Sequence, residues 1–293
     1  MKLKYSQLLT IVKHQGYDEV NVADPWNKGK ILHKYILANT EVKTDDNATF
    51  VQIPLKRAVV FTSPHIGLIS DLNAKESVAG VCDMQYIMAQ WVKSLSDCGN
   101  AMNPNIEKII KLTPDGIILS PFQNSGGYGK VEQLGVPLIE AADYMESSAL
   151  GRAEWMIFYG MLFGKEQEAR ALFDSIEKKY NALASSCNEK SQHKASPKVM
   201  TDMKQSSSWY VPGGESTLGR MIADAGGDYA FKNDKRSGSI PCSIETMIEL
   251  NHDADIWLIK YNSRHDLTLQ QLKSDNDKYV KFKACKDGEV YGC

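Results

Sequence analysis

Nine side chains of ligand-binding types follow the ends of predicted strands. They combine aromatic rings with one thioether, one imidazole and two guanidinium groups. Aromatic rings offer large apolar faces and cations attract acidic groups, so this mixture suits a large, flat, partly anionic chelate. Because loops after parallel strands meet at one edge of a sheet, we expect these side chains to face one crevice. The candidates are His65, Met84, Tyr86, Phe122, Trp209, Tyr210, Arg236, Tyr261 and Arg264.

His65 is the candidate with the clearest metal chemistry, since it follows a strand and the turn Thr62-Ser63-Pro64. Neutral imidazole binds both heme iron and cobalt, so His65 is a candidate axial ligand. Tyr86 or Tyr261 could complete an iron site by the same reasoning. The favoured alternative for His65 is a hydrogen-bonded loop histidine, and we predict no metal held by the protein alone.

The six cysteines contain no C-x-x-C pair, which argues against a zinc ribbon or a redox motif. Cys82 and Cys98 fall in the same predicted lobe and are candidates for a disulfide in an oxidising compartment. Buried thiols are an equally good interpretation.

No catalytic motif is present in the sequence. It contains no G-x-S-x-G, no H-E-x-x-H and no paired acids at a strand end. The glycine-rich loop at 125–129 lacks the Lys-Ser/Thr of a phosphate-binding loop and is interpreted as a crevice rim. We therefore predict that the protein is not an enzyme.

The net charge of -2 comes with both signs interspersed, and no basic run is present, so nucleic acid is not an expected partner. The longest apolar run near the start, Leu8–Val12, is too short for a membrane span or a signal-peptide core. We accordingly expect an export signal and a lipid-attachment site to lie upstream of Met1.

The pattern of apolar residues predicts an α/β fold with two Rossmann-like lobes joined by a long rigid helix. Residues 1–55 hold short β-type runs and are predicted to form an antiparallel N-terminal β extension. Residues 56–148 form the first lobe, 149–189 a helical linker broken at Gly164, and 190–293 the second lobe. A single helical connection predicts little hinge motion around one ligand held between the lobes.

Two glutamates occupy the same place in the two predicted lobes. Glu107 and Glu245 each lie in the first turn of a short amphipathic helix that precedes a buried strand. A first-turn carboxylate stabilises the helix dipole, which explains each residue separately. It does not explain the recurrence in both halves.

These glutamates, together with Val78-Ala79-Gly80-Val81, Leu112-Thr113-Pro114-Asp115 and Gly226-Gly227, make the chain resemble the periplasmic binding proteins for vitamin B12, iron-siderophores and heme. The resemblance covers about residues 56–290. It implies a monomeric lipoprotein of the periplasm or the outer face of the inner membrane, without a cofactor. It also implies an ABC permease and its ATPase as partners, with Glu107 and Glu245 docking into permease arginines. The implied ligand is a ferric siderophore or cobalamin, ahead of heme.

One departure from the family and two alternatives complete these expectations. Proteins of this kind close the second lobe with a further helix and strand, so a chain that stops at Cys293 predicts an incomplete or truncated C-terminal lobe. The first alternative is a metal-cluster oxidoreductase component of nitrogenase-like architecture, although scattered single cysteines argue against it. The second is a surface interaction module.

Overall fold

The computed structural model describes residues 3–42, 47–122, 127–191, 195–261 and 265–292. The chain divides into two compact units. The first unit contains residues 1–146 and 150–176, and the second contains residues 147–149 and 177–293. The predicted α/β class with two lobes and a long helix is confirmed.

A four-stranded N-terminal sheet opens the first unit. Its strands are β1 (Leu9–Lys13), β2 (Asp18–Ala23), β3 (Ile31–Ala38) and β4 (Thr49–Gln52). The first three strands are antiparallel neighbours, whereas β4 runs parallel to β3. The expectation of an entirely antiparallel extension is therefore wrong for the last pair, because apolar spacing does not encode the direction of pairing.

Strand β2 was missing from the sequence-based prediction. Its residues Asp18, Glu19 and Asn21 belong to types that are depleted in strands. The strand forms because Val20 and Val22 alternate with these polar residues and are both fully buried, which gives the sheet one apolar face.

Two buried carboxylates hold the segment that precedes β1. Glu154 accepts hydrogen bonds from the backbone N–H groups of residues 4, 5 and 6 at 2.7–2.8 Å. Glu146 accepts from the N–H groups of residues 7 and 8 at 3.0 Å and from the indole of Trp155 at 2.9 Å. Each glutamate is 3% exposed, so these donors replace the water that a carboxylate otherwise needs. We call this pair the N-terminal clamp.

The central sheet of the first unit is parallel and five-stranded. Its strands are β5 (Ala58–Val60), β6 (Val78–Val81), β7 (Ser96–Asp97), β10 (Gly116–Leu119) and β11 (Leu138–Glu140), and β8 (Gly99–Asn100) and β9 (Asn103–Pro104) form a separate antiparallel ribbon. The strand order is β11-β10-β5-β6-β7. The chain thus builds outward from β5 in one direction and then resumes on its other side at β10. A reversal of this kind opens a crevice beyond the carboxyl ends of the two strands.

Five helices belong wholly or partly to the first unit. They are α1 (Ser63–Asp71), α2 (Ile106–Leu112), α3 (Ala149–Glu154), α4 (Met156–Leu162) and α5 (Glu166–Ser191). Gly164 has a φ of +67° and separates α4 from α5, as predicted. The boundary between the two compact units falls at residue 177, within α5.

The second unit repeats the helix-and-strand plan. Its strands are β12 (Lys198–Thr201), β13 (Lys204–Gln205), β14 (Ser208–Pro212), β15 (Asp228–Tyr229), β16 (Ser239–Cys242), β17 (Ile256–Ile259) and β18 (Val290–Gly292). Its helices are α6 (Thr217–Asp224), α7 (Ile244–Asn251), α8 (Leu269–Asp275) and α9 (Lys283–Asp287). The parallel sheet has the order β15-β12-β17-β18, and β13, β14 and β16 form an antiparallel sheet.

The C-terminal part of the second unit contains both helices and a strand. After Ile259 the chain supplies α8, α9 and the strand β18, which pairs in parallel with β17. The polar residues of 265–290 lack a long apolar period, because these helices are short and bury few side chains each.

The N-terminal clamp generates a stability prediction. Replacing Glu154 with Gln puts an amide N–H group where backbone donors need an acceptor, so we expect the first unit to lose about 3 kcal/mol, the range of hydrogen bonds to charged groups. Native-state hydrogen exchange of the amides of residues 4–6 measures this loss locally, which avoids assuming one transition for two units. The control is Glu168→Gln in α5, where the side chain is 50% exposed. Equal exchange in both variants contradicts the role of the clamp.

Candidate functional site

A cavity of about 710 Å³ lies in the first unit where the strand order reverses. Residues 61–62, directly after β5, form one side, and residues 119–122, at the end of β10, form another. This is the position at which α/β sheets bind ligands. We call it the switch-point cavity. The described lining residues are Phe61, Thr62, Ala101, Met102, Asn103, Pro104, Ile106, Leu119, Ser120, Pro121, Phe122, Gly127, Tyr128, Gly129, Lys130, Val131 and Tyr144.

Apolar and aromatic groups dominate this lining. Met102 is 75% exposed and Phe122 is 42% exposed, so large apolar surfaces face the open cavity. The Tyr144 hydroxyl donates to the carbonyl of Pro121 at 2.6 Å, which fixes one aromatic side chain against the wall. Among the described lining residues, Lys130 supplies the one cationic side chain. Such a lining favours an organic ligand that also carries some negative charge.

A buried polar network lies behind Thr62, one of the residues that line the cavity. His65 Nδ1 is hydrogen-bonded to the Thr62 hydroxyl, and His65 Nε2 lies 2.9 Å from Asp143 Oδ1 and 2.8 Å from the Tyr159 hydroxyl. Tyr159 also donates to Asp143 at 3.0 Å, and Arg152 Nε lies 3.3 Å from its other oxygen. The network connects α1, α3 and α4 with the segment after β11.

His65 has the hydrogen-bonded environment of the favoured alternative, although it lies in a helix and not in a loop; its roles as a ligand contact or an axial metal ligand stay predictions. The residue is 6% exposed, and both of its ring nitrogens have partners within the first unit. It lies in α1 at the third helical position, where the side chain turns back to the helix start. Its sequence neighbours are consistent with either role, because Asp143 and Tyr159 are 78 and 94 residues away.

Asp143 is ionised within this network. Burial raises the pKa of the Asp143 carboxyl, but the hydrogen bond from His65, the charges of His65 and Arg152 and the hydrogen bond from Tyr159 together outweigh burial. The pKa of Asp143 therefore lies below its ordinary value. Conversely, burial first and the adjacent Asp143 second raise the pKa of Tyr159, so Tyr159 remains a hydrogen-bond donor.

A second polar cluster surrounds the hydroxyl group of Tyr128. The Tyr128 hydroxyl donates to Glu140 Oε1 at 2.7 Å, and His33 Nδ1 lies 2.8 Å from Glu140 Oε2. His33 belongs to β3 of the N-terminal sheet, and its Nε2 lies 2.7 Å from Thr49 Oγ1 on β4. A cavity of about 550 Å³ adjoins this cluster. We call it the edge cavity, because it lies beside β11, the edge strand of the parallel sheet.

Three of the predicted ligand-binding residues lie in the loops of the first unit. Phe122 lines the switch-point cavity, and its contact with a ligand stays a prediction. Met84 and Tyr86 form a short 3₁₀ helix after β6, where Tyr86 is 64% exposed. Neither of these two is among the described lining residues of the cavity.

Trp209 is a core residue of the second unit, which corrects its assignment to a ligand site. Its ring is fully buried, it stacks on Trp257 with centroids 5.7 Å apart, and its indole N–H donates to the carbonyl of Thr201 at 2.9 Å. Tyr210 is the next residue of β14 and is 47% exposed. Side chains alternate along a strand, so Trp209 points inward and Tyr210 outward.

The remaining candidates of the second unit are dispersed. Arg236 forms an exposed ion pair with Asp234 at 2.6 Å. Tyr261 lines a cavity of about 270 Å³, and its hydroxyl accepts from the N–H of Leu267 at 3.3 Å. Arg264 lies outside the described residues.

Cys82 and Cys98 are free, buried thiols, so the predicted disulfide between them is wrong for this structure. Both belong to the apolar cluster behind the switch-point cavity. Burial raises the pKa of Cys82 well above its ordinary value and that of Cys98 to about 11, so both thiols are protonated and unreactive at neutral pH.

Glu107 and Glu245 occupy equivalent places in α2 and α7. Each is the second helical residue, after an N-cap side chain that accepts from a backbone N–H: Asn105 at 2.9 Å and Ser243 at 3.0 Å. Both glutamates are exposed. Glu245 pairs with Lys278 at 2.7 Å, and this hydrogen bond lowers the pKa of Glu245.

Several residues with clear structural roles were absent from the predicted site. Thr62, Met102 and Tyr144 line the switch-point cavity but belong to no motif, whereas Tyr128 lies in the glycine-rich loop at 125–129 that was predicted to be a crevice rim. Asp202, directly after β12, has a φ of +61°, a conformation that costs energy for a residue with a side chain and often marks functional loops. The one feature of the sequence that could have identified Asp202 is that a polar residue follows a predicted strand.

Among the described residues, no helix combines the length and the apolar composition needed to cross a bilayer. Within the same residues, no three histidine, cysteine or acidic side chains come together in an arrangement that could hold a metal ion.

Comparison with known proteins gives consistent matches. A family model described as periplasmic binding protein matches residues 59–293. An uncharacterized lipoprotein of Methanocaldococcus jannaschii is 29% identical over 327 residues, which cover 99% of this chain and 75% of the relative.

Two solved structures share the fold. The periplasmic heme-binding protein HutB of Vibrio cholerae is similar with a TM-score of 0.62 and 18% identity, over 80% of this chain and 88% of HutB. The molybdate-binding protein MolA of Haemophilus influenzae is similar with a TM-score of 0.65 and 17% identity, over 83% of this chain and 79% of MolA. One binds a large macrocycle and the other a small oxyanion, so the shared fold leaves the ligand open.

The ionised Asp143 generates a prediction for pH dependence. A folded-state pKa below the unfolded value stabilises the fold at higher pH, and this contribution is lost as pH falls below about 4. Replacing Asp143 with Asn should lower the free energy of unfolding by about 3 kcal/mol at neutral pH, since it breaks a buried charged network. The variant should also show a shallower loss of stability in acid.

Denaturant unfolding of the wild type and Asp143→Asn across about pH 3 to 7, followed at amides of the first unit by hydrogen exchange, measures both effects. The control is Asp71→Asn, at an exposed position of α1. If stability falls with pH equally steeply in all three proteins, the stabilising role of the ionised Asp143 is contradicted.

Proposed function

Because the chain belongs to the periplasmic binding protein family, we propose that it captures a metal chelate and delivers it to an ABC permease of the inner membrane. The proposed ligand is a ferric siderophore or cobalamin, ahead of heme. In this role the protein is a transport component and performs no chemistry on its ligand.

The observation that carries this proposal is the switch-point cavity. Its volume of about 710 Å³ lies within the usual range for sites that hold an organic ligand, about 300 to 1,000 Å³. It lies where the fold places a binding site, and its exposed apolar groups, such as Met102 and Phe122, lose contact with water when a ligand enters.

The lining favours a chelate over a bare oxyanion. Oxyanions are bound by clustered N–H donors and cations, and water must be replaced at each oxygen. Here the walls are formed by Met102, Pro104, Pro121 and Phe122, with Lys130 as the cationic group. An organic ligand shell satisfies the apolar walls, and the lysine can pair with an anionic group on the ligand, such as a carboxylate.

Glu107 and Glu245 support the proposed delivery step. Each of the two contributes an exposed carboxylate to its unit, and each is the second residue of its helix. A permease with basic residues at its docking surface would recognise such a pair. Glu107 has no ion-pair partner among the described residues, and Glu245 exchanges an exposed partner, Lys278, on docking. Exposed ion pairs contribute little to stability, so the exchange costs little.

The proposed location is the periplasm or the outer face of the inner membrane, with a lipid anchor. The lipoprotein name of the Methanocaldococcus jannaschii relative supports this part of the proposal. The proposed assembly contains one copy of the chain with the permease and its ATPase.

Ligand titration tests the proposed cargo. We expect the melting temperature to rise progressively with a ferric hydroxamate or cyanocobalamin, less with hemin and not with molybdate. Saturation at 100 times Kd stabilises the native state by about 2.7 kcal/mol. A shift with molybdate alone, or with none of the four ligands, contradicts the chelate proposal.

A matched pair of substitutions places the ligand. Met102→Glu introduces a charge on an apolar wall of the cavity and should weaken binding of the active chelate at least tenfold, or about 1.4 kcal/mol. The control Met221→Glu makes the same exchange on α6, where Met221 is 41% exposed. Equal affinities for both variants would place the ligand elsewhere.

Docking is tested separately by Glu107→Gln and Glu245→Gln. Each should leave the ligand Kd within about twofold of the wild type and lower uptake through the cognate permease at least tenfold, as expected for loss of an interfacial charge pair. The controls are Glu76→Gln and Glu249→Gln, which neutralise exposed carboxylates of the same two units. Uptake that is unchanged in the first pair, or equally reduced in all four, contradicts the docking role.

A further inference from the structure

Tyr128 lies between the two cavities of the first unit. It lines both the switch-point cavity, of about 710 Å³, and the edge cavity, of about 550 Å³. Its half-buried ring therefore forms part of the partition between them. Where this ring lies determines how far a ligand in the switch-point cavity can extend.

The backbone around Tyr128 does not fix the ring by itself. Tyr128 lies between Gly127, with a φ of +97°, and Gly129, with a φ of +58°. Glycines have access to more backbone conformations than other residues, so such a segment needs external contacts to be held in one of them. One contact is local, from the Tyr128 N–H to Glu132 Oε1 at 2.6 Å.

Two further sets of contacts hold the ring: it packs against the apolar cluster that contains Leu119 and Val131, and a hydrogen-bonded tie leads from its hydroxyl toward the N-terminal sheet. The Tyr128 hydroxyl donates to Glu140 at 2.7 Å, and Glu140 is held at its other oxygen by His33 of β3 at 2.8 Å. Thr49 of β4 lies 2.7 Å from the second nitrogen of His33. Glu140 is 7% exposed, so its orientation depends on these partners and not on water.

A second set of contacts fixes the N-terminal sheet to strand β11 at the same point. The hydroxyl of the fully buried Tyr35 accepts from the N–H of Glu140 at 2.8 Å and donates to the carbonyl of Leu138 at 3.1 Å. The rings of His33 and Tyr35 are stacked with centroids 4.3 Å apart. The sheet and the carboxylate that orients Tyr128 are therefore one connected structure.

We propose that the N-terminal sheet is a working part of the ligand site, because it holds Tyr128, through His33 and Glu140, as the wall that limits ligand size. This inference rests on the proposed function for its consequence, since it assigns a specificity role to the same cavity. Tyr128 is the size-determining residue. His33 and Glu140 are positioning residues that act through it. When the tie is removed, the ring is released and the switch-point cavity extends into the edge cavity.

Hydrogen exchange tests, without any ligand, whether the hydrogen bonds through Glu140 and His33 hold Tyr128 in place. In His33→Ala and Tyr128→Phe, exchange of the amides of Tyr128 and Val131 should be at least fivefold faster than in the wild type. The control Tyr144→Phe removes a hydroxyl from the other tyrosine of the cavity, whose partner is the carbonyl of Pro121, and should leave these two amides unchanged. Unchanged exchange in folded His33→Ala overturns the inference.

Discrimination between a bulky and a compact ligand tests whether Tyr128 limits ligand size. We expect the ratio of Kd values for a bulky and a compact ferric hydroxamate to fall at least fivefold in His33→Ala, Glu140→Gln and Tyr128→Phe. It should be unchanged in Tyr180→Phe, which removes a hydroxyl that donates to Asp224 at 2.7 Å and lines neither cavity. The double variant of His33→Ala and Tyr128→Phe should match Tyr128→Phe alone, because both changes release the same ring. Additive effects, or an unchanged ratio in the single variants, overturn the size-limiting role.

The two proposals fail in different ways. If neither hydroxamate binds the wild type, the proposed ligand class is wrong, while the exchange experiment still decides whether the N-terminal sheet holds Tyr128. If both bind and exchange is unaffected in His33→Ala, the ligand class stands and the tie is rejected. Glu140→Gln keeps the volume of the side chain and provides a second folded variant should His33→Ala be unstable.

Discussion

Four carboxylates buried within residues 140–154 constrain the first unit more than any other feature. Glu140, Asp143, Glu146 and Glu154 are each less than 9% exposed. A buried carboxylate is costly unless hydrogen-bond donors replace its water. The donors come from elements distant in sequence: the N-terminal segment, the N-terminal sheet and three helices. The need to satisfy these four groups therefore decides which parts of the chain must meet around the end of β11.

This requirement links stability to the proposed site. Asp143 and His65 lie behind Thr62, which lines the switch-point cavity, and Glu140 accepts a hydrogen bond from Tyr128, another lining residue. The same short segment also fixes the beginning of the chain through the N-terminal clamp. Two lining residues, Thr62 and Tyr128, are thus held by buried charged groups, so these parts of the proposed site need little ordering on binding.

The sequence predicted the elements well and the side-chain partners poorly. The apolar pattern predicted the α/β class, and Gly164 marked a helix end correctly, because these signals are local. The partners of the buried groups are not local: Glu140 and His33 are 107 residues apart, and Glu154 meets residues up to 150 positions away. No local pattern encodes such pairs, so His65 was assigned to a ligand and Glu140 was overlooked.

The solvent exposure of a side chain was the second property that could not be predicted from residue type. Trp209 and Tyr210 are adjacent aromatic residues of one strand, and alternation puts the first in the core and the second at the surface. At the switch point the opposite holds, since Met102 and Phe122 are apolar and yet exposed. Exposed apolar side chains at a strand reversal are unfavourable in water and are retained where something covers them. Their location, and not their type, is what supports the proposal that a ligand covers this edge of the sheet.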